Sequence, residues 1–216
     1  MCFSCVPSYE RFVAPHVVHV GCSLGTFSKM RMQVVPQASG VVAEIGFGSG
    51  LNLPYYDMSR IERLIAIDPD EKMLSIARRK LARKQLSAQR LRTELMSVGG
   101  ECIPLDRASV DTAVVTYAFC TIPEPDRALR EIRRVLRPGG RLLFCEHGRS
   151  GRPFCRRMQD RLNGVWGHIA GGCNLNRSPQ QMIEEAGFAV CNLRRDRFPL
   201  HLWPLGDHFA GHAVPK

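Results

Sequence analysis

The stretch Val41–Asn52, VVAEIGFGSGLN, decides the architecture of the chain. Val41, Val42 and Ile45 form a short apolar run of the kind that makes a buried parallel strand. Gly46, Gly48 and Gly50 follow at alternate positions. Alternating glycines offer a core no side chains. They let the backbone turn sharply and let a ligand lie close against it. Glu44 stands inside the apolar run, where an acid is costly without a positive or hydrogen-bonding partner. An acid at a strand end followed by a glycine turn points to a nucleotide-type ligand at the carboxyl edge of a parallel sheet.

The spacing narrows the ligand. A dinucleotide fingerprint places glycines at relative positions one, three and six. Here they fall at one, three and five, and Leu51 takes the sixth place. Pro54 also interrupts any helix starting there, so no clean helix N-terminus faces a pyrophosphate. Both features argue against a nicotinamide-dependent oxidoreductase. A second acid lies at a useful distance. Leu64–Ile67 reads as the next strand, and Asp68 ends it 22 residues after Gly46. A carboxylate there can accept from both hydroxyls of a ribose.

These residues resemble the class I S-adenosylmethionine-dependent methyltransferases. That family carries E-x-G-x-G-x-G on the first strand and loop, and an acid after the second strand. The resemblance implies an α/β fold with a doubly wound, seven-stranded, mostly parallel sheet whose last strand is antiparallel. It implies S-adenosyl-L-methionine as the methyl donor, held by Glu44, Gly46, Gly48, Gly50, Asn52, Asp68, Pro69, Met73 and Tyr117. In the superfamily the loop after strand three usually carries an acid that binds the adenine amine. This chain has Gly99, Gly100 and then Glu101 there. Gly100 is expected to make a backbone contact, with Glu101 beside it. The phrase LRPGG at 136–140, ahead of an apolar strand, is common in the superfamily.

The 216 residues suit one large domain, with no repeat or low-complexity tract. Residues 1–40 are expected to form a helical cap segment and 41–216 the methyltransferase domain, with a helical insert at 152–177. The net charge is +10 and the pI about 9.5. The cations are spread over several helices without interleaved aromatics, so no nucleic acid partner is expected. A peripheral membrane contact stays open. The nine cysteines are odd in number, and Cys120 and Cys145 lie in apolar runs. Reduced thiols and a cytoplasmic setting follow as the expectation. No basic-then-apolar leader and no bilayer-length apolar stretch is visible. No metal is expected: Cys2 and Cys5 lack the second half of a zinc ligand set.

Along the chain, Tyr9–Val20 is mildly amphipathic, with His16 and His19 among valines. Such a segment could cover the ligand end of the sheet or simply pack on it. Asp70–Leu86 reads as a helix, since Met73, Ala77 and Leu81 recur four apart. Gln89–Met96 and Val110–Tyr117 read as strands three and four, and Pro123–Arg137 as a helix stopped by Pro138-Gly139-Gly140. Arg141–Cys145 is the fifth strand, ended by Glu146 and His147. A basic helical insert at 152–172 interrupts the alternation. A helix at Ser178–Ala186, capped by Ser178 or Asn176, and strands at Phe188–Arg197 and His208–Val214 complete the pattern.

Methyl transfer from a sulfonium is an in-line displacement, and alignment of donor and acceptor can supply about 7–11 kcal/mol of the barrier. A base is needed only where the acceptor must lose a proton. Tyr117, Cys120, His147, Asn174 and His208 are the candidates near strand ends and the insert. By residue type His147 is the preferred catalytic base. A narrower resemblance bears on the acceptor. CEHGRS at 145–150 and GGCNLNRS at 171–178 look like the microsomal alkyl-thiol methyltransferases, which have an EH pair after strand five and a GCNL segment in the insert. Those proteins begin with a longer hydrophobic anchor. The resemblance implies a small, apolar acceptor, with S-methylation of a thiol favoured. The layout and LRPGG are similar to quinone and sterol methyltransferases, so C-, O- or N-methylation of a quinone, lipid or other metabolite is the alternative. A non-catalytic ligand-binding module is a further one. The enzyme is expected to act as a monomer or homodimer. Trp166, Ile169 and Leu175 are expected to wall the acceptor pocket, with Asn174 as a polar contact.

Overall fold

The computed structural model describes Cys22 and residues 25–85, 92–197 and 204–216. The expected segment Tyr9–Val20 lies outside these residues. Seven strands form one sheet: β1 (Gly40–Ile45), β2 (Ile61–Ile67), β3 (Arg92–Met96), β4 (Val110–Thr116), β5 (Leu136–Gly148), β6 (Phe188–Arg197) and β7 (Asp207–Pro215). Their order is β3-β2-β1-β4-β5-β7-β6. Strands β1 to β5 pair in parallel, whereas β7 runs antiparallel to both β5 and β6. This is the expected doubly wound sheet with its antiparallel last strand. The strand order reverses between β1 and β4, and a crevice opens at such a switch point.

Alternation along the strands builds two cores. Ala43, Ile45, Ile65, Ile67, Val115 and Phe144 face one side. Against them packs α3 (Pro125–Val135), through Ala128, Leu129, Ile132 and Val135. Each buried leucine or isoleucine stabilises the layer by about 1.5–3 kcal/mol. Pro125 suits the first helical turn, and Arg133 and Arg134 suit the negative C-terminus. Val42, Leu64, Val114 and Leu143 face the other side. They are covered by α1 (Gly25–Val34) through Phe27, Met30 and Val34, and by α2 (Glu71–Gln85) through Leu74 and Ala77. Asp70 caps α2, its Oδ1 accepting from Lys72 N at 2.8 Å and Met73 N at 3.3 Å.

Several boundaries differ from the sequence reading. Residues 89–91 of the expected third strand lie outside the described residues. β4 ends at Thr116 because Tyr117 turns into the left-handed region at φ 53°. The helix expected to reach Arg137 ends at Val135, and Leu136 already pairs with Val110. Pro138-Gly139-Gly140 is therefore not a helix stop. It belongs to an excursion within β5, since the next paired residues are Thr112 and Arg141. β5 then runs on through Glu146 and His147 instead of ending before them. The insert forms α4 (Pro153–Ile169), followed by α5 (Pro179–Glu185). Ser178 holds the cap position of α5, but its side chain makes no capping bond. Among the described residues no helix is long and apolar enough to cross a membrane.

Candidate active site

A cavity of about 450 Å³ opens at the carboxyl ends of β1, β2 and β4, at the switch point. Among the expected donor contacts, Glu44, Gly46, Gly48, Asn52, Asp68, Pro69, Met73, Gly100, Glu101 and Tyr117 all line it. Gly50 does not. It borders a neighbouring cleft instead, beside Leu53 and Pro54.

The three loop glycines turn out to serve different ends. All have positive φ. A Cβ on Gly46 would stand 2.3 Å from Ala118 Cβ, and one on Gly50 would stand 2.7 Å from Leu53 Cδ1. Both are needed for close packing, which corrects the view that such glycines cannot belong to a core. Only Gly48 faces space: its nearest neighbour would be Asp68 Oδ2 at 4.0 Å. Gly100 also packs, its absent Cβ lying 2.7 Å from Ile45 Cγ2. Glu101 stands at the rim, with Oε1 3.4 Å from Glu124 N.

Asp68 ties the first two loops together. Its Oδ2 accepts from Gly48 N at 2.8 Å and its Oδ1 from Asp70 N at 2.9 Å. Each carboxylate oxygen keeps a second lone pair, enough for two ribose hydroxyls. Burial raises its pKa despite those amides. Glu44 is deeper. Asn52 Nδ2 donates to Oε1 at 2.9 Å and the Tyr56 hydroxyl donates to Oε2 at 2.5 Å. Burial pushes its pKa up to about 8, against the pull of these two bonds. Asn52 Nδ2 also meets Thr116 Oγ1 at 2.9 Å, which fixes the loop on the end of β4.

Arg31 of α1 was not legible as a site residue. It reads as one cation among many, yet it is only 3% exposed and lines the cavity. Its NH1 donates to Cys22 O at 2.6 Å, and its guanidinium lies 4.8 Å from the Tyr117 ring centroid. Its Nε is buried without a partner. Tyr117 is wedged between this cation and Phe27, whose ring meets it edge-on at 4.7 Å. The Tyr117 hydroxyl is buried and pairs with His208 Nδ1 at 2.9 Å.

The expected base, His147, does not line the cavity. Its Nε2 points to Cys173 Sγ at 3.2 Å, in a pocket that also holds Cys120. Burial alone would lower the His147 pKa, but the Cys173 sulfur beside it raises it. Cys173 is drawn below the usual thiol range by its hydrogen bond with Cys120 and by His147. Glu146, the other half of the EH pair, is structural: Oε1 accepts from Ala118 N at 2.8 Å and Phe119 N at 3.2 Å. Burial brings its pKa to about 7. The insert contributes only Gly171 to the cavity wall. Ile169 is largely exposed, Leu175 is buried and Trp166 packs on the cysteine pocket. Asn174 donates from Nδ2 to the carbonyls of Cys120 and Gly172, at 3.0 and 2.9 Å.

Residues 43–144, which span β1 to β5, match the methyltransferase-domain family. The human thiol S-methyltransferase TMT1B is 33% identical over 82% of this chain and 72% of its own length. The chain belongs to the class I S-adenosylmethionine-dependent methyltransferases. The human thiol S-methyltransferase TMT1A is 29% identical to this methyltransferase over 87% of the chain and 76% of its own length. The fold is shared with a solved S-adenosylmethionine-dependent methyltransferase of Thermotoga maritima, at TM-score 0.65 and 21% identity, over 98% of this chain and 99% of that one.

The cavity fits the donor. Gly48 leaves open the space a side chain would fill, and Arg31 Nε is a buried donor without a partner at its wall. S-Adenosylmethionine supplies an electrophilic methyl group on a sulfonium whose departure needs no protonation. The chain has therefore to bind, align and exclude water, which is how such a cavity contributes to rate.

Proposed function

We propose that the methyltransferase transfers its methyl group to the sulfur of a small, apolar thiol. The observation that carries this reading is the 33% identity to a thiol S-methyltransferase over most of both chains. The composition of the cavity supports it. Ile45, Phe47, Leu51, Met73 and Ile122 give its wall an apolar character. Among the described residues no histidine lines it, and two of its acids are engaged: buried Glu44 with Tyr56 and Asn52, half-buried Asp68 with two amides. A hydroxyl or a protonated amine needs a base within reach of its proton. A thiol is a far stronger acid than an alcohol and its sulfur a stronger nucleophile, so it makes the smaller demand on a base.

In this reading Asp68 takes the ribose hydroxyls and Arg31 takes the donor's carboxylate, a charge-assisted pair. Glu44 faces the donor's ammonium and holds Asn52 in place. Gly48 lets the donor lie on the backbone, and Gly100 and Glu101 stand where the adenine would rest. The acceptor enters between α1 and the 117–122 turn.

A screen with isotopically labelled donor tests the reading, with alkyl thiols, quinols, phosphatidylethanolamine and amines compared by mass spectrometry. A labelled thioether formed in preference to every other product is the expected result. Methyl transfer to a quinol carbon or a lipid amine, with thiols untouched, would replace the thiol reading while leaving the methyltransferase intact.

A further inference from the structure

Beside the donor cavity lies a second constellation that the transfer reaction does not require. Cys120, His147 and Cys173 bring two sulfurs and an imidazole nitrogen together, all within 4.8 Å of one another. They come from the turn after β4, the end of β5 and the segment after α4. All three are buried, at 5%, 3% and 8% exposure. We propose that Cys120 Sγ, Cys173 Sγ and His147 Nε2 form a three-ligand site for a thiophilic divalent cation of the zinc class. The inference does not depend on which acceptor is methylated.

The donor set suits such an ion. Thiolate and imidazole are the ligands that borderline-soft zinc takes, whereas magnesium and calcium require oxygen. A tetrahedral zinc with bonds of about 2.3 Å to sulfur sets its two sulfurs about 3.8 Å apart. The three atoms lie within 4.8 Å of one another, with His147 Nε2 and Cys173 Sγ at 3.2 Å, so small side-chain adjustments reach that spacing. Two thiolates balance a dication, so the buried site carries no net charge.

The surroundings hold the ligands in place. Cys120 O accepts from Asn174 N at 2.8 Å and from Asn174 Nδ2 at 3.0 Å. Asn163 Oδ1 accepts from Leu175 N at 2.7 Å, and Asn163 Nδ2 donates to Asn174 Oδ1 at 3.2 Å. These bonds fix the backbone that carries Cys120 and the segment that follows Cys173. Buried cysteines acting merely as small hydrophobes would not need an imidazole nitrogen against a sulfur. Three protein ligands leave the fourth position for water or an exogenous thiolate, the arrangement of reactive zinc sites and not of closed structural ones. The donor cavity is adjacent: Ala118 and Thr121 flank Cys120, Gly171 precedes Cys173 by two residues, and all three line that cavity.

Cobalt titration of the reduced, chelator-treated full chain under anaerobic conditions tests the site. The expected result is one equivalent bound, with thiolate-to-cobalt charge transfer in the near ultraviolet and intense visible bands of tetrahedral cobalt, displaced by zinc. Cys120→Ser, Cys173→Ser and His147→Ala should each weaken binding tenfold or more, with circular dichroism reporting that the fold is kept. Cys102→Ser and Cys191→Ser, thiols outside the cluster, should leave it unchanged. A wild-type chain that binds no stoichiometric cobalt, or a spectrum that survives both Cys120→Ser and Cys173→Ser, overturns the proposal. So does a chain that takes no metal and instead joins Cys120 to Cys173 in a disulfide under mild oxidation.

Discussion

Gly46→Ala and Gly48→Ala should separate packing from ligand access. Both residues hold left-handed angles, φ 76° and 55°. Either alanine therefore adds about 1–2 kcal/mol of backbone strain. Their new Cβ atoms meet different surroundings: Ala118 Cβ at 2.3 Å for Gly46, but only Asp68 Oδ2 at 4.0 Å for Gly48. Overpacking of the first kind adds about 1–3 kcal/mol. Gly46→Ala should thus lose about 2–5 kcal/mol in urea unfolding, and Gly48→Ala about 1–2. Adding Ala118→Gly to Gly46→Ala removes the clashing methyl and should recover part of the overpacking, leaving the strain. Donor affinity should follow the opposite order once corrected for folding. The Gly48 methyl enters the cavity, so calorimetry should show the larger loss there. Equal stability of the two single variants, or no recovery with Ala118→Gly, would refute the argument that Gly46 is a packing glycine.

Asp68→Ala removes the acceptor assigned to the ribose and should weaken donor binding, each hydrogen bond to a charged group being worth about 1.5–3 kcal/mol. It also strands Gly48 N and Asp70 N, so the melting temperature should fall too; unchanged calorimetry in a folded variant removes Asp68 from the site. Glu44 has its pKa raised from 4.5 to about 8 by burial, so the native state keeps a proton that the unfolded chain releases. Stability should therefore fall as pH rises from about 5 to 8 and level off above that. Glu44→Gln should flatten this slope, with a remainder from Glu146, and an identical slope in both proteins would clear Glu44 of the effect. Gln159 is fully buried, its Oε1 accepting from Ser150 N and its Nε2 lying within 3.3 Å of the carbonyls of Gly148, Leu175 and Pro204. Gln159→Ala should cost about 2–4 kcal/mol in chemical denaturation, because stranded buried polar groups cost about 1–3 kcal/mol each; a loss under 1 kcal/mol would mean that water replaces the amide.

The glycine loop, Glu44 and Asp68 could be read from the chain because their residue types are improbable in a core and their spacing matches a strand–loop–strand unit. The sheet was legible for a related reason: buried parallel strands are short apolar runs, and Val41–Ile45, Leu64–Ile67 and Val110–Thr116 stand out as such. Pro138-Gly139-Gly140 misled, since a helix stop and a strand excursion use the same residues. Arg31 and the partners of His147 were hidden for another reason. Cys120, His147 and Cys173 are 27 and 26 residues apart, and no local period relates them. Only the crossover order of the sheet brings them to one place. The same holds for Gly46 and Gly100, whose glycine identity is set by Ala118 and Ile45 across the fold.

The placement of β1 has a consequence for the birth of the protein. Its start is held by residues far down the chain: Val41 N donates to Asp111 Oδ2 at 2.8 Å, and Ser39 pairs with Thr112. Gly46 rests on Ala118. A ribosome that has made only the glycine loop and Asp68 has made most of the contacts proposed for the donor, yet the loop has nothing to lie against until β4 is released. Pairing at such separation closes late. Donor binding is then a property of the finished sheet, and a ligand that binds only the folded state pulls the equilibrium towards it. The donor present in the cell would act on a newly made chain as a reagent for completing its fold, before it is ever a reagent for chemistry.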